Sequence, residues 1–363
     1  MSFALGQLKL ASNLFLSPLA GYTNLPFRRI IREIGGVGLC TTDLINARSL
    51  LEGNRKALEL IESNAQDRPL AVQLYGTVPE EMGAAAARLE FLGVSAVDVN
   101  MGCPVRKICR SGGGSSMMAD HAKAARVVSR MVRAVKIPVT CKMRLGWDDA
   151  NLTAPELARA LEDAGAAAIV VHGRTRQQGF RGAVNLTGIR AVVQAVRRVP
   201  VVGNGDITTP PAAKMMFEHT GCAAISIGRG AFYNPWIFRH TEHYLATGEL
   251  LPEPGFEERI TVMTRHLDLM VDAYGEEQGC RKFRKVALQY SRRFGPTKEF
   301  DRRVVRLSTR AGFDEILTTY RIWRAQFLDA EGHLLPHYRP RQLGTATDPT
   351  DAVKVPAGPN ELW

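Results

Sequence analysis

Eight short apolar runs, most of them separated by helical patterns, limit this chain more than any other feature. They are Leu14 to Ala20, Val37 to Thr41, Leu70 to Leu74, Ala96 to Val99, Val139 to Met143, Ala167 to Val171, Pro200 to Val202 and Ala223 to Ile227. None alternates cleanly between apolar and polar residues, so each suits a parallel sheet buried on both faces. Helical patterns fill the gaps: Pro26 to Glu33 behind Asn24 as a cap, Leu50 to Glu62, Pro79 to Leu92, Ala122 to Val135, Ala154 to Ala164, Leu186 to Val196 and Pro210 to Glu218. Thr153 and Glu156 have capping-box spacing, with Pro155 in the first turn. Eight such units over about 215 residues predict an α/β fold of the (β/α)8 TIM-barrel kind. An open doubly wound sheet gives no reason for eight units, and its glycine fingerprint after the first strand is missing.

Past Trp236 the alternation stops, and Gly248 to Gly255 reads as a linker. Phe256 to Tyr274, Arg281 to Arg293 and Phe313 to Gln326 then read as amphipathic helices of a small all-α domain. The expected division is a barrel over residues 1–247, a helical domain over 256–328 and a Pro-rich tail over 329–363, expected to be disordered. The net charge of +11 is uneven. From Arg281 to Arg310, eleven Lys and Arg residues face two acids, Glu299 and Asp301, an excess of nine. Such a window reads either as a solvated helix face or as a footprint for a polyanion, with Arg281, Lys282, Arg284, Lys285, Arg292 and Arg293 as its first contacts.

No run approaches the roughly 18 apolar residues of a membrane span, and the N-terminus lacks a signal-peptide pattern. Six scattered cysteines without a CxxC pair fit a reduced, cytoplasmic protein. We expect a monomer without a structural metal, since no zinc, HExxH or EF-hand spacing occurs.

In a barrel of this kind the chemistry lies at the C-terminal ends of the strands. Those ends carry Pro18-Leu19-Ala20, Gln73, Asn100, Lys142 with Arg144, His172-Gly173-Arg174-Thr175-Arg176, Gly203-Asn204-Gly205-Asp206 and Gly228-Arg229-Gly230. Paired glycine loops after the seventh and eighth strands, with Arg229, predict a phosphate site. A buried Lys142 needs a partner, and Asp206 is the one acid at a neighbouring strand end, so an anionic cofactor is expected there. After the fourth strand comes a loop that mixes a thiol, cations and glycines, Asn100-Met101-Gly102-Cys103-Pro104-Val105-Arg106-Lys107-Ile108-Cys109-Arg110-Ser111-Gly112-Gly113-Gly114. It reads as a flexible segment that delivers a thiol to a substrate, with the glycines as a hinge.

Together, Ser17 to Asn24, Asn100 to Pro104 with Lys107, Ser111 to Gly114, Lys142 to Trp147, His172 to Thr175 and Gly203 to Asp206 resemble the tRNA-dihydrouridine synthases. The resemblance covers Leu14 to Trp323 with the motifs in order. It implies an FMN-dependent oxidoreductase that uses NADPH or NADH and acts on tRNA through a helical RNA-binding domain. Cys103 would be the general acid. Pro18, Leu19, Ala20, Gln73, Lys142, His172, Asn204, Gly205, Asp206, Gly228 and Arg229 would contact FMN. Asn100 and Arg144, with Arg174 and Arg176 behind them, would hold the uracil. Nearby cations lower a thiol pKa, so Arg106 and Lys107 are expected to be occupied elsewhere. Two rivals remain at this stage: a small-molecule FMN barrel enzyme of the dihydroorotate dehydrogenase kind, which gives no use for the basic helices, and a dihydrouridine synthase acting on ribosomal RNA. A pure RNA-binding protein on a barrel scaffold leaves Lys142, His172 and the glycine loops unexplained.

Overall fold

The computed structural model describes residues 2–340. All eight expected strands form, as β3 (Leu14–Leu16), β4 (Leu39–Asn46), β5 (Leu70–Tyr75), β6 (Ala96–Met101), β7 (Val139–Arg144), β8 (Ala168–His172), β9 (Val201–Asn204) and β10 (Ala224–Ile227). Every neighbouring pair is parallel, and β10 pairs with β3 to close the barrel. Helices cover the outside, and a large apolar cluster between strands and helices forms the main core.

Before the barrel lies a small antiparallel hairpin that the sequence reading did not anticipate, β1 (Phe3–Leu5) and β2 (Leu8–Leu10). Its Leu5 and Leu10 pack with Phe15, Leu39, Ala71, Ala96, Ala168, Val202 and Ala224, alternate residues that fill the N-terminal end of the barrel interior. Full burial of a leucine stabilises by about 1.5–3 kcal/mol, so the hairpin is a plug that closes the barrel floor. Above that apolar floor most of the following alternate positions are polar, among them Gln73, Asp98, Thr140, Lys142, Asn204 and Ser226, with Val170 the apolar exception. The interior is thus apolar below, largely polar in the middle, and open above.

Most helices match their patterns. Leu25–Ile34 is capped by Asn24, whose Oδ1 accepts from Phe27 N at 3.0 Å. The Thr153 side chain, in contrast, makes no cap bond to Ala154–Asp163. Leu50 to Glu62 splits into Ala47–Leu51 and Arg55–Ile61, with Asn54 capping the second piece. The loop after β6, expected to be flexible, holds a short helix, Arg106–Arg110, and a 3-10 segment, Gly114–Ala119.

Four helices, Phe256–Tyr274, Glu276–Ser291, Lys298–Val304 and Arg310–Arg324, share a second core built on Met263, Phe283, Phe294, Phe300, Phe313 and Tyr320. This unit leans on the barrel through the helix Leu25–Ile34. Phe27 stacks on His266 with ring centroids 5.9 Å apart, and Arg265 pairs with Glu33 at 2.9 Å. The first twelve residues of the expected tail, 329–340, instead take a defined course. Leu328 and Leu334 form a β-bridge, and Phe327 packs edge-on against Tyr338. The rest of that tail lies outside the described residues.

Candidate active site

A cavity of about 1160 Å³ opens at the C-terminal ends of the strands and extends under the helical unit. It is somewhat larger than the roughly 300–1,000 Å³ usual for a ligand pocket. Cys103, Asn100, Arg144 and every residue expected to contact the cofactor line it.

The cavity floor carries two hydrogen-bonded groups of side chains, one on β5, β6 and β7 and one on β7, β9 and β10. Register places Gln73 beside Asp98, Asn100 beside Lys142, and His172 beside both Arg144 and Asn204. Gln73 Nε2 donates to Asp98 Oδ2 at 2.7 Å, and Thr140 Oγ1 donates to Asp98 Oδ1 at 2.6 Å. Asn100 Nδ2 donates to Gln73 Oε1 at 2.7 Å. Lys142 Nζ donates to Asn204 Oδ1 at 2.9 Å, and Asn204 Nδ2 donates onward to the Ser226 carbonyl at 2.6 Å. Asp98 was missed in the sequence because it sits in an apolar run. It is the buried acid near Lys142 that the reading of strand ends held to be absent.

Burial dominates the electrostatics. It lowers the Lys142 pKa, helped by the charge of Arg144 and opposed by Asp98. It raises the Asp98 pKa against the bonds from Gln73 and Thr140. It takes Arg144 down to about 10. His172, buried among Arg144, Lys142, Arg174 and Arg229, is held well below its ordinary value and is therefore neutral. Neither Lys142 nor Arg144 has an ion pair among the described residues. A cavity with desolvated cations and no carboxylate bound to them attracts an anion.

The thiol loop is anchored rather than loose. Asn100 Oδ1 accepts from Cys103 N at 3.0 Å and Gly102 N at 3.3 Å. Arg144 Nε donates to the Gly102 carbonyl at 2.7 Å, and its Nη1 donates to the carbonyls of Thr175 and Gly179, each at 2.8 Å. Ser115 N donates to the Cys103 carbonyl at 3.0 Å. Cys109 Sγ lies 3.4 Å from that same carbonyl and 3.3 Å from Ser115 Oγ, so it braces the loop. Gly114 has φ 56°, and a Cβ there would fall 2.6 Å from the Cys103 oxygen. The glycine thus serves close packing around Cys103. Burial raises the Cys103 pKa, outweighing the opposing Arg144 charge; the lowering expected from the loop cations does not prevail.

Between the glycine loops, Gly230 allows contact: a Cβ there would lie 2.1 Å from the Ile207 carbonyl oxygen. Asp206, expected to touch the cofactor, accepts from Arg174 at 2.9 and 2.6 Å and from Val184 N at 3.0 Å, and pairs with Arg229 at 3.6 Å. Its carboxylate is thus spent on structure. Arg174 is 2 % exposed, absent from the cavity wall, and committed to Asp206 and the Arg181 and Gly182 carbonyls. Arg176 also lies off the wall, its guanidinium 4.4 Å over the Trp147 ring. Of the four residues expected at the uracil, Asn100 and Arg144 line the cavity and Arg174 and Arg176 do not. Phe180 does line the cavity, with the Arg229 and Arg144 guanidiniums 4.7 and 5.5 Å from its ring centre. It lies in a loop without periodicity, and nothing in the sequence marked it.

The helical unit supplies the outer wall through His266, Met270, Tyr274, Lys282, Lys285 and Val286. Lys285 Nζ donates to the Gly21 carbonyl at 2.8 Å and lies 4.1 Å from the Tyr22 ring centre. Lys282 pairs with Glu59 at 2.9 Å and lies 3.6 Å from the Tyr274 ring centre. The other basic residues divide. Arg281 and Arg292 are exposed, whereas Arg284 holds the Leu307 carbonyl at 2.8 Å and Arg293 pairs with Glu253 at 3.5 Å.

Comparison with known proteins shows the family. Residues 15–325 match the family model described as dihydrouridine synthase. A protein of Rickettsia bellii named probable tRNA-dihydrouridine synthase is 38% identical over 297 residues, covering 82% of this chain and 90% of the relative. Proteins named tRNA-dihydrouridine synthase B are 37% identical over 305 residues in Xanthomonas campestris (84% and 91% covered) and 38% over 296 residues in Pseudomonas aeruginosa (82% and 89%).

Proposed function

The chain belongs to the dihydrouridine synthase family, and on that premise we propose that it reduces particular uridines of tRNA to 5,6-dihydrouridine. The chemistry that FMN would bring when bound, after reduction by NADPH or NADH, is hydride donation to uracil C6. The donor set suits such a group. Two glycine loops with Arg229 offer a phosphate cradle, and Lys142, Gln73, His172 and Asn204 offer a polar floor for a flat heteroaromatic ring.

Cys103 holds the proton that uracil C5 needs, at Sγ, and burial keeps it there through neutral pH. Once C5 is protonated, the thiolate takes a proton from solvent. Asn100 and Arg144 fix the loop through the Cys103 N–H and the Gly102 carbonyl, so the thiol approaches from a set position. Lys142 brings positive charge to the floor, where the reduced cofactor's ring would carry negative charge. The target base has to leave its stack, at about a few kcal/mol. Lys282 and Lys285, at the outer wall, are the nearest basic residues of the helical unit to receive its backbone phosphates.

The observation that carries this reading is a thiol, its pKa raised by burial, that lines the same cavity as two glycine loops and a buried lysine with no ion pair among the described residues. The test uses purified yellow protein, NADPH and RNA from a strain that lacks the enzyme. Cys103→Ala should lower dihydrouridine formation by about 10²–10⁴-fold and leave flavin absorbance unchanged. Full activity in that variant, or product in ribosomal RNA but not in tRNA, overturns the corresponding part of the reading.

A further inference from the structure

Four side chains of the cavity floor form a chain with a direction. At one end is the Asp98 carboxylate, 3 % exposed, bonded to Gln73 Nε2 and Thr140 Oγ1. Next come the amides of Gln73 and Asn100, joined by Asn100 Nδ2 donating to Gln73 Oε1. At the other end are the backbone N–H groups of Cys103 and Gly102, both directed to Asn100 Oδ1. An ionised carboxylate can only accept, and a backbone N–H can only donate. Each amide presents one acceptor and one donor face, so it passes this polarity on. Both ends therefore demand the same orientation of both amides, a conclusion from chemistry that does not depend on telling N from O in an amide.

Resting on the function proposed above, we propose that Asp98 is a positioning residue. Its acceptor-only carboxylate sets the orientation of Gln73, through it that of Asn100, and so holds the acceptor that seats the Cys103 thiol over the substrate. Burial raises the Asp98 pKa to about 6, against the bonds from Gln73 and Thr140 and the charge of nearby Lys142, so the acceptor-only carboxylate is the form above that pH. Asp98 lines the small void beneath the floor but not the main cavity, so it acts through Gln73 rather than by contact.

A charge transplant separates this from an ordinary buried hydrogen bond. In Asn100→Asp the loop N–H groups keep their acceptor, but Gln73 now lies between two carboxylates and can satisfy only one. In the double variant Asp98→Asn with Asn100→Asp, the charge has moved along the chain and every donor again meets an acceptor. Asp98→Asn alone still allows the native orientation and should be mild. The readout is the alkylation rate of Cys103 in FMN-loaded protein, resolved from Cys109 by peptide mass at about pH 8, where the introduced carboxyl group has to give up its proton. Leaving one buried partner unsatisfied predicts about tenfold faster alkylation in Asn100→Asp. The double variant should return to within about threefold of the parent, a coupling opposite in sign to additivity.

If the double variant reacts as fast as Asn100→Asp, or Asn100→Asp matches the parent, the relay is overturned. If Asn100→Asp fails to fold, recovery of folded protein by the second substitution supports the relay, and failure of both overturns it. Thiol alkylation does not depend on uridine reduction. A Cys103→Ala enzyme with full activity would sink the functional reading, whereas unchanged alkylation kinetics would sink only this relay.

Discussion

The barrel mouth and the helical unit both carry excess positive charge, and they handle it in opposite ways. In the helical unit the charge is dense in sequence but largely paired in space. Arg302 and Arg303 share Glu299, Arg310 bonds both Asp268 and Asp314, Lys282 reaches Glu59 and Arg293 reaches Glu253. Four of these acids lie outside the window from Arg281 to Arg310, so the linear excess of nine overstates the field there. At the barrel mouth the cations are few, but Lys142 and Arg144 are desolvated and make no ion pair among the described residues. Burial, not count, decides where the charge can act on a ligand.

Predictions follow from that contrast. Lys142→Met removes a desolvated cation without an ion-paired acid, and FMN affinity should fall by about 10²-fold, as lost charged hydrogen bonds in a dry site do; the check is flavin fluorescence during dialysis. A smaller but regional effect is expected on acidification. His266 in the helical unit is buried among aromatic rings, and its pKa falls to about 3 from 6.5. The folded state thus binds fewer protons than the unfolded state below pH 6.5. The stability is fully present above 6.5 and is lost as pH falls toward 3, by about 2 kcal/mol at pH 5. His266→Phe should flatten the decline of Tm between those pH values; an unchanged slope would assign it to His172, whose pKa burial also lowers.

Next in size is the mouth of the helical unit. Lys282→Glu with Lys285→Glu should weaken tRNA binding by about tenfold and reduce the slope of log K against log salt by one or two units. Arg302→Ala with Arg303→Ala removes cations that Glu299 already neutralises, and binding and Tm should stay within error. Equal losses from the two pairs would abolish the distinction between cations that line the cavity and those that do not. Finally, because burial raises the Cys103 pKa, its alkylation rate should still be climbing at pH values where a free thiol has levelled off.

Much of the barrel was legible because a strand buried on both faces writes itself as an apolar run. Strand ends in turn told where Cys103, Lys142, His172 and the glycine loops would meet. The hairpin β1–β2 was not legible, since three-residue strands are too short for a period. Asp98 was hidden by the apolar run around it. Phe180 lies in an aperiodic loop. The pairing of Arg174 with Asp206 was not legible either, since the two lie 32 residues apart in the chain.

The order of residues by itself determined the eight-unit barrel, the appended helices and the thiol that follows β6, because period and local turn chemistry are properties of neighbours in sequence. Only the tertiary structure decided which charges count. Pairing and desolvation depend on distances between segments that the chain brings together. That closure buries Lys142 without an ion pair among the described residues, spends Asp206 on Arg174 and raises the pKa of the Cys103 thiol.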